Sequence, residues 1–246
     1  MDEKIRRSEE IFIDAWPALE TSLFDGWVVR FGGGFSRRSN SVVPLYEPAM
    51  NVREKIRACE TLYRGRGLRT VFKLTAASRP RGLDELLAAA DYRREAETSV
   101  QTAAPAAGGT PTDEVTLRGE LDSEWLAALC ALNAYDPKHY DTVRAITERI
   151  HPPRAFASAR RDGRIAACGL GVVRQGCVIL FDIVVDEKIR RQGLGRRIVA
   201  SLMEWGRGQS ADAALLQVMT NNPAAMAMYA GLGFREEYNY WYRVKE

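Results

Sequence analysis

Three arginines and two glycines fall within Arg190-Arg191-Gln192-Gly193-Leu194-Gly195-Arg196, a composition suited to holding an anion. The stretch before it, Phe181-Asp182-Ile183-Val184-Val185, is apolar and β-branched and predicts a buried strand. The stretch after it places Ile198, Val199, Leu202 and Met203 at helical spacing. Strand, basic glycine loop and helix together suit a phosphate. Gly193 and Gly195 let backbone approach the ligand without a Cβ. The first N–H groups of the helix lack intrahelical partners, the helix dipole favours negative charge there, and Arg190, Arg191 and Arg196 add formal charge. Taken alone, the same residues also read as a basic, solvated helix start.

Two common phosphate motifs do not fit. The loop lacks the Gly-Lys-Ser/Thr ending of a Walker A loop and the third glycine of a dinucleotide fingerprint. About thirty residues on stands Asn222-Pro223-Ala224-Ala225-Met226-Ala227-Met228-Tyr229-Ala230-Gly231-Leu232-Gly233-Phe234. Asn222 is a good N-cap, Pro223 a good first helical residue, and Gly231 and Gly233 stop the helix. The first loop resembles the pyrophosphate loop of the GNAT family (GCN5-related N-acetyltransferases), Arg/Gln-x-x-Gly-x-Gly/Ala, on Arg190, Gly193 and Gly195. The second segment resembles that family's Asn-x-x-Ala-x-x-(apolar)-Tyr-x-x-x-Gly-Phe signature, on Asn222, Ala225, Met228, Tyr229, Gly233 and Phe234. Met228 departs mildly, where leucine is commoner. Ala213–Met219 lies between the two motifs as a strand candidate, which gives the order of the cofactor-binding half of that fold.

The resemblance implies an acetyl-CoA-dependent N-acetyltransferase acting on a primary amine of a small molecule or peptide, by direct attack in a ternary complex. Such a transfer needs the thioester held beside the acceptor, a deprotonated amine, and stabilised charge on the carbonyl oxygen and leaving thiolate. On this chain the resemblance implies that Arg190, Arg191, Gln192, Gly193, Leu194, Gly195 and Arg196 hold the pyrophosphate. Ile183, Val184 and Val185 would pair with the pantetheine arm, and Asn222 would touch it. Tyr229 would protonate the departing sulfur, since a free phenol near pKa 10 is protonated at neutral pH; a core tyrosine packed on the sheet is the other reading. Asp182, just before the pantetheine-binding positions, would accept the amine proton directly or through water, or attract a cationic acceptor. It also reads as a strand-edge aspartate paired with an arginine. Tyr135, His139 and the Ser36–Ser41 run are candidates for the acceptor wall, with surface or capping roles as the alternative.

The elements that must position these residues form a mixed α/β chain. In the C-terminal part the pattern predicts a strand at Val115–Leu117 and helices at Asp122–Asn133 and Tyr140–Ile150. Strands at Ala155–Ala159, Ile165–Val173 and Val178–Val185 follow, then the two motifs and a last strand at Tyr238–Val244. The N-terminal part shows a similar outline: helix at Met50–Tyr63, strand at Arg69–Thr75, helix at Leu83–Ala90, strand near Thr98–Thr102. Tyr63-Arg64-Gly65-Arg66-Gly67 resembles Trp205-Gly206-Arg207-Gly208 in character, at an offset of about 141 to 142 residues. This predicts a tandem GNAT-like pair in which only the C-terminal cofactor site is intact. Leu45–Met50 lacks the glycine loop, and Leu87 stands where Tyr229 would be matched. The expected division is 1–104 as a degenerate domain, 105–112 as a small Pro/Gly-rich linker, and 113–246 as the catalytic domain.

The composition is ordinary for a globular protein: 246 residues, 46% hydrophobic and 27% charged, with net charge +3. So small an excess of positive charge predicts neither nucleic-acid nor membrane binding. The N-terminus lacks a signal-peptide core and no run is long enough to span a bilayer, so a cytoplasmic location is expected. Cys59, Cys130, Cys168 and Cys177 show no metal spacing and are expected to be reduced; His139 and His151 are too few for a histidine-based site, and no metal is expected. A monomer or homodimer is expected. The alternative function is a non-catalytic acyl-CoA-binding regulatory protein, which turnover would distinguish.

Overall fold

The computed structural model describes residues 1–104 and 114–246, so the expected linker at 105–112 lies outside the described residues. The fold is mixed α/β, and the chain divides into two compact units, 1–99 with 238–246, and 100–237. The final strand, expected to close the C-terminal domain, therefore falls with the first unit. Its pattern predicts a strand but not the strand's partner.

The first unit contains α1 (Asp2–Ala15), β1 (Glu20–Phe24), β2 (Trp27–Phe31), β3 (Val42–Pro44), α2 (Val52–Arg64), β4 (Thr70–Thr75) and α3 (Leu83–Ala88). Next comes β5 (Arg93–Ala103), whose last residues belong to the second unit. Strands β1, β2 and β3 form an antiparallel meander, β3 runs parallel to β4, and residues Tyr240–Lys245 pair antiparallel with β4. The core gathers Trp27, Val29, Phe31, Ile56, Cys59, Tyr63, Phe72, Leu74 and Leu87. Every residue of β4 is buried, so its alternation is weak in the sequence. Lys73 is the case in point: its ammonium lies 2.6 Å from the carboxylate of Glu9 on α1, which also accepts the Tyr238 hydroxyl at 2.9 Å. Buried charge of this kind is tolerated only when paired and hydrogen-bonded.

The second unit runs through β6 (Val115–Arg118), α4 (Ser123–Leu132), α5 (Tyr140–Glu148), β7 (Arg154–Arg161), β8 (Arg164–Arg174), β9 (Cys177–Val185), α6 (Leu194–Gly208), β10 (Ala213–Met219) and α7 (Pro223–Ala230). The chain ends with β11 (Arg235–Lys245), whose residues from Tyr238 onward belong to the first unit. Strands β6 to β9 are an antiparallel meander, turned at Asp162-Gly163 and Gln175-Gly176, where all four residues have positive φ. Two consecutive positive φ values suit the tight turns that match strand twist. Strand β10 then runs parallel to β9, with α6 as the crossover.

Helix α6 lies unusually close to the sheet because small residues face it. A Cβ at Gly169 of β8 would lie 2.4 Å from Ile198, and one at Gly206 of α6 would lie 2.5 Å from Val178 Cβ. Both obstacles are β-branched and stiff. Gly206→Ala is therefore expected to cost about 1–3 kcal/mol, read as a lowered melting temperature and denaturant midpoint. Unchanged stability would show that the helix can shift outward freely.

Candidate active site

The site begins where the sheet comes apart. The parallel ladder between β9 and β10 covers Cys177–Leu180 against Ala213–Leu216 and then stops. One residue past the last Phe181–Leu170 pair, Asp182 adopts φ +52, and the register with β8 shifts between Cys168 and Leu170. This is a β-bulge: one extra residue on β9 bends the strand and increases its twist. Pairing with β8 resumes at Val184 and Val185, but the β10-facing edge of Ile183–Val185 stays outside the ladder. These residues are half-buried. The sequence predicts the strand; the bulge within it has no sequence signal, because Asp182 sits in an uninterrupted apolar run.

Beyond Val185 the chain turns sharply. Asp186 receives the Lys188 N–H at 3.0 Å, donates its own N–H to Ala166 at 2.9 Å, and lies 2.9 Å from Arg164. The Lys188 hydrogen bond, with Arg164 beside it, holds the Asp186 carboxyl below its ordinary value. The loop that follows has Arg191 at φ +66 and Gly193 at φ +78, and Gly193 leads into α6 with no side-chain cap. From Arg191 to Arg196 no backbone N–H donates to an acceptor among the described residues. An uncapped helix of this length presents its first N–H groups outward.

The arginines are not equivalent. Arg190 donates through Nε to the Val185 carbonyl at 3.3 Å and lies 3.1 Å from Glu187. Arg191 and Arg196 are exposed and make no ion pair among the described residues. Gln192 is exposed, and Leu194 is buried at the first turn of α6. Gly195 has a different reason to be glycine than backbone approach alone. A Cβ there would stand 3.3 Å from Met228 Sδ and 3.4 Å from Val185 Cγ2, so the glycine also lets α6 close on α7 and β9.

Asn222 caps α7 by accepting the Ala225 N–H at 3.1 Å, and Pro223 follows at the first position. Tyr229, 7% exposed, belongs to the same apolar cluster as Leu194, Val199, Leu216 and Val218, so it shares a core with the α6 start and the end of β10. Its ring meets Phe234 edge-on at 5.8 Å. Burial pushes its phenol up to about 12. Both sequence readings of this residue thus describe it: it packs in the core, and it is protonated at neutral pH.

Asp182 sits on the opposite flank of the bulge. Its charge reaches two thiols: burial first, and then Asp182, raises Cys168 to about 12 and also raises Cys130. Tyr135 follows α4 with its N–H on the Cys130 carbonyl at 3.0 Å, and it and His139 are half-buried. In the first unit, the Ser36–Ser41 run folds around Asn40, whose side-chain oxygen accepts the Gly32 and Gly34 N–H groups at 2.8 and 3.0 Å. Two residues at the site escape the sequence reading: Met228 as a packing partner of Gly195, and Arg197, which lies 3.1 Å from the Cβ position of Gly193. The α6 pattern shows Arg197 only as one more charged residue.

The family model described as "Probable histone acetyltransferase Rv0428c C-terminal" matches residues 3–243. The chain is 30% identical over 246 residues to the "Uncharacterized N-acetyltransferase YobR" of Bacillus subtilis (strain 168), covering 98% of each. It is 36% identical over 76 residues to the "[Ribosomal protein bS18]-alanine N-acetyltransferase" of Escherichia coli (strain K12), 31% of this chain and 51% of that protein. Among solved structures it is similar to a GCN5-related N-acetyltransferase from Kribbella flavida, with TM-score 0.68 and 15% identity, covering 100% of this chain and 95% of that one.

The phenol makes a testable prediction. Its folded pKa, about 12, lies above the unfolded value near 10, so folding retains the proton. Its contribution is complete below pH 10 and is lost as pH rises through 12. Wild type should therefore lose more stability between pH 9 and pH 11 than Tyr229→Phe, by chemical denaturation. Parallel losses would show that the phenol ionises at its ordinary value.

Proposed function

Because the chain belongs to the Rv0428c C-terminal acetyltransferase family, within the GNAT N-acetyltransferases, we propose that it transfers an acetyl group from acetyl-CoA to a primary amine. The acceptor is a small molecule or peptide, and the amine attacks directly in a ternary complex. One observation carries the reading: a fork between β9 and β10 ends at an uncapped helix whose leading N–H groups are free. The fit to a pyrophosphate is chemical. The N–H groups from Arg191 to Arg196 can donate to it, and Arg191 and Arg196 add charge to its rim. Arg190 contributes mainly by holding the turn after Val185.

Each remaining residue takes a role from its place. The free edge of Ile183–Val185 offers backbone hydrogen bonds to an extended amide arm, as an added strand would receive. Asn222 keeps an amide N–H₂ for the same arm while its oxygen caps α7. Tyr229 donates its proton to the departing sulfur, which its raised pKa allows. Asp182, on the bulge beside Cys130 and Cys168, faces the acceptor side and accepts the amine proton or holds the cationic amine.

We read 113–246 as carrying the catalysis and 1–104 as a degenerate copy. The helix starts support this. Residue 51 corresponds to residue 193 at the sequence offset, and there Asn51 caps α2 by accepting the Arg53 N–H at 3.0 Å. The Asp25 carboxylate accepts the Ala49 and Met50 N–H groups, each at 3.0 Å, and pairs with Lys55 at 2.9 Å. Those two N–H groups, then Lys55, pull its pKa down to about 2. A built-in carboxylate thus occupies the ground where the second unit leaves N–H groups free. Among the described residues no helix is long and apolar enough to cross a membrane, and Cys59, Cys130 and Cys168 are free and buried. The cytoplasmic assignment belongs to the same reading.

Titration calorimetry with acetyl-CoA and CoA, beside thiol release against an amine panel, tests the proposal. Binding with amine-dependent thiol release is expected; no binding would overturn it. Tyr229→Phe should keep acetyl-CoA affinity within about twofold while lowering turnover about 10²-fold or more. Unchanged turnover would remove the phenol from the mechanism. Gly193→Val should abolish binding, because a β-branched residue at φ +78 is strained and its side chain enters the loop.

A further inference from the structure

We propose that Arg197, held by Glu114, is a positioning residue that orients the Gln192–Gly193 peptide so that the Gly193 N–H faces the acyl-CoA phosphates. The inference rests on the phosphate-loop reading above.

The guanidinium of Arg197 donates through Nη2 to the Gln192 carbonyl at 3.0 Å. Its Nη1 lies 3.1 Å from the Cβ position of Gly193, so the group lies against the inner side of that glycine. Its Nε lies 2.7 Å from Glu114 Oε2, and Glu114 Oε1 in turn lies 3.3 Å from Arg161 Nη2 at the end of β7. The chain of contacts therefore runs from β7 through the segment entering β6 to the loop. Unlike Arg191 and Arg196, Arg197 is half-buried, and its charge is met by a carboxylate.

A trans peptide points its carbonyl and N–H in opposite directions. Binding the Gln192 carbonyl from the helix side therefore turns the Gly193 N–H the other way, outward from α6. Glycine at 193 and a left-handed Arg191 leave this segment with few steric constraints of its own. Were the peptide to turn over, a carbonyl oxygen would face the phosphates and repel them. The Arg197 hydrogen bond is charge-assisted, and such bonds are the stronger kind. Glu114 keeps the guanidinium at that carbonyl and away from the ligand.

The test uses the full chain, with acetyl-CoA and CoA as probes. Arg197→Leu is expected to raise the calorimetric Kd and the KM for acetyl-CoA about tenfold or more, with kcat within about twofold. Glu114→Gln discriminates between roles and also covers the case in which Arg197→Leu fails to fold. A positioning arginine released from its carboxylate loses its aim, so Glu114→Gln should weaken CoA binding. An arginine that itself contacts phosphate would gain from losing the competing charge, so tighter binding in Glu114→Gln would overturn the proposal. The salt dependence of Kd should run parallel in wild type and both variants, since no phosphate contact is lost; a shallower slope in Arg197→Leu would also overturn it. Unchanged Kd in both variants, or a fall in kcat at constant KM, would do the same. Failure of the wild type to bind CoA would instead strike the phosphate-loop reading itself.

Discussion

The parting of β9 from β10 is the constraint on which the candidate site depends. Two parallel strands that begin in register at Cys177 and Ala213 have every reason to continue, since each broken ladder step leaves backbone groups to be satisfied elsewhere. The bulge at Asp182 ends that continuity by inserting one residue on the β8 side. It places a non-glycine residue at φ +52, in a region that such residues occupy infrequently. Strain of this kind persists only where the surroundings over-determine it. Here the long antiparallel ladder with β8 does so, resuming at Val184 after the interruption. The outcome is a strand fixed on one edge and open on the other, which is what an extended amide ligand requires.

The helices set the chemistry at the two ends of that opening. Helix α6 is drawn onto the sheet by Gly169 and Gly206, where any side chain would collide with Ile198 or Val178. Its start is thereby fixed near the end of β9, and Gly195 brings it against Met228 of α7. Tyr229, the next residue, enters the same core, and its phenol stays protonated because burial penalises the anion. The electrostatics of the two helix starts then diverge. At α2 the N-cap is Asn51 and the preceding N–H groups are met by Asp25, so that start is neutralised from within. At α6 the N-cap is a glycine, no side chain replaces it, and the nearby guanidinium of Arg197 is turned to a carbonyl and to Glu114. Similar backbone order thus yields one closed and one open anion site.

The N-terminal unit invests its polar residues in packing. The Glu9–Lys73 pair, with Tyr238 on the same carboxylate, joins α1, β4 and β11 within a region from which water is excluded. Asp84 accepts from Arg243 at 2.7 and 3.0 Å and from Trp241 at 2.8 Å, which fixes the last strand to α3. Such pairs contribute less net stability than their geometry suggests, because both charges are desolvated. They do specify register, since a slip of one residue along β11 would move Tyr238 away from Glu9 and Trp241 away from Asp84.

The sequence by itself determined the elements and the family. The helices and most of the strands are legible because apolar spacing and caps such as Asn222-Pro223 are local signals, and the two glycine-containing motifs carry the likeness to the acetyltransferases. β1 escaped this reading, being exposed and without alternation. Tyr229, Asn222 and the Arg190–Arg196 loop were singled out from residue type and spacing alone. Tertiary structure decided the rest. The bulge depends on how β9 meets β8, and nothing in an unbroken apolar run announces it. That Tyr238–Val244 pairs with β4 depends on which sheet edge is open, a matter far from those residues in the chain. Which arginines remain available to a ligand depends on acceptors distant in sequence, as Glu114 is from Arg197. Residue type and spacing encode local conformation; partners across the fold are set only when the chain closes on itself.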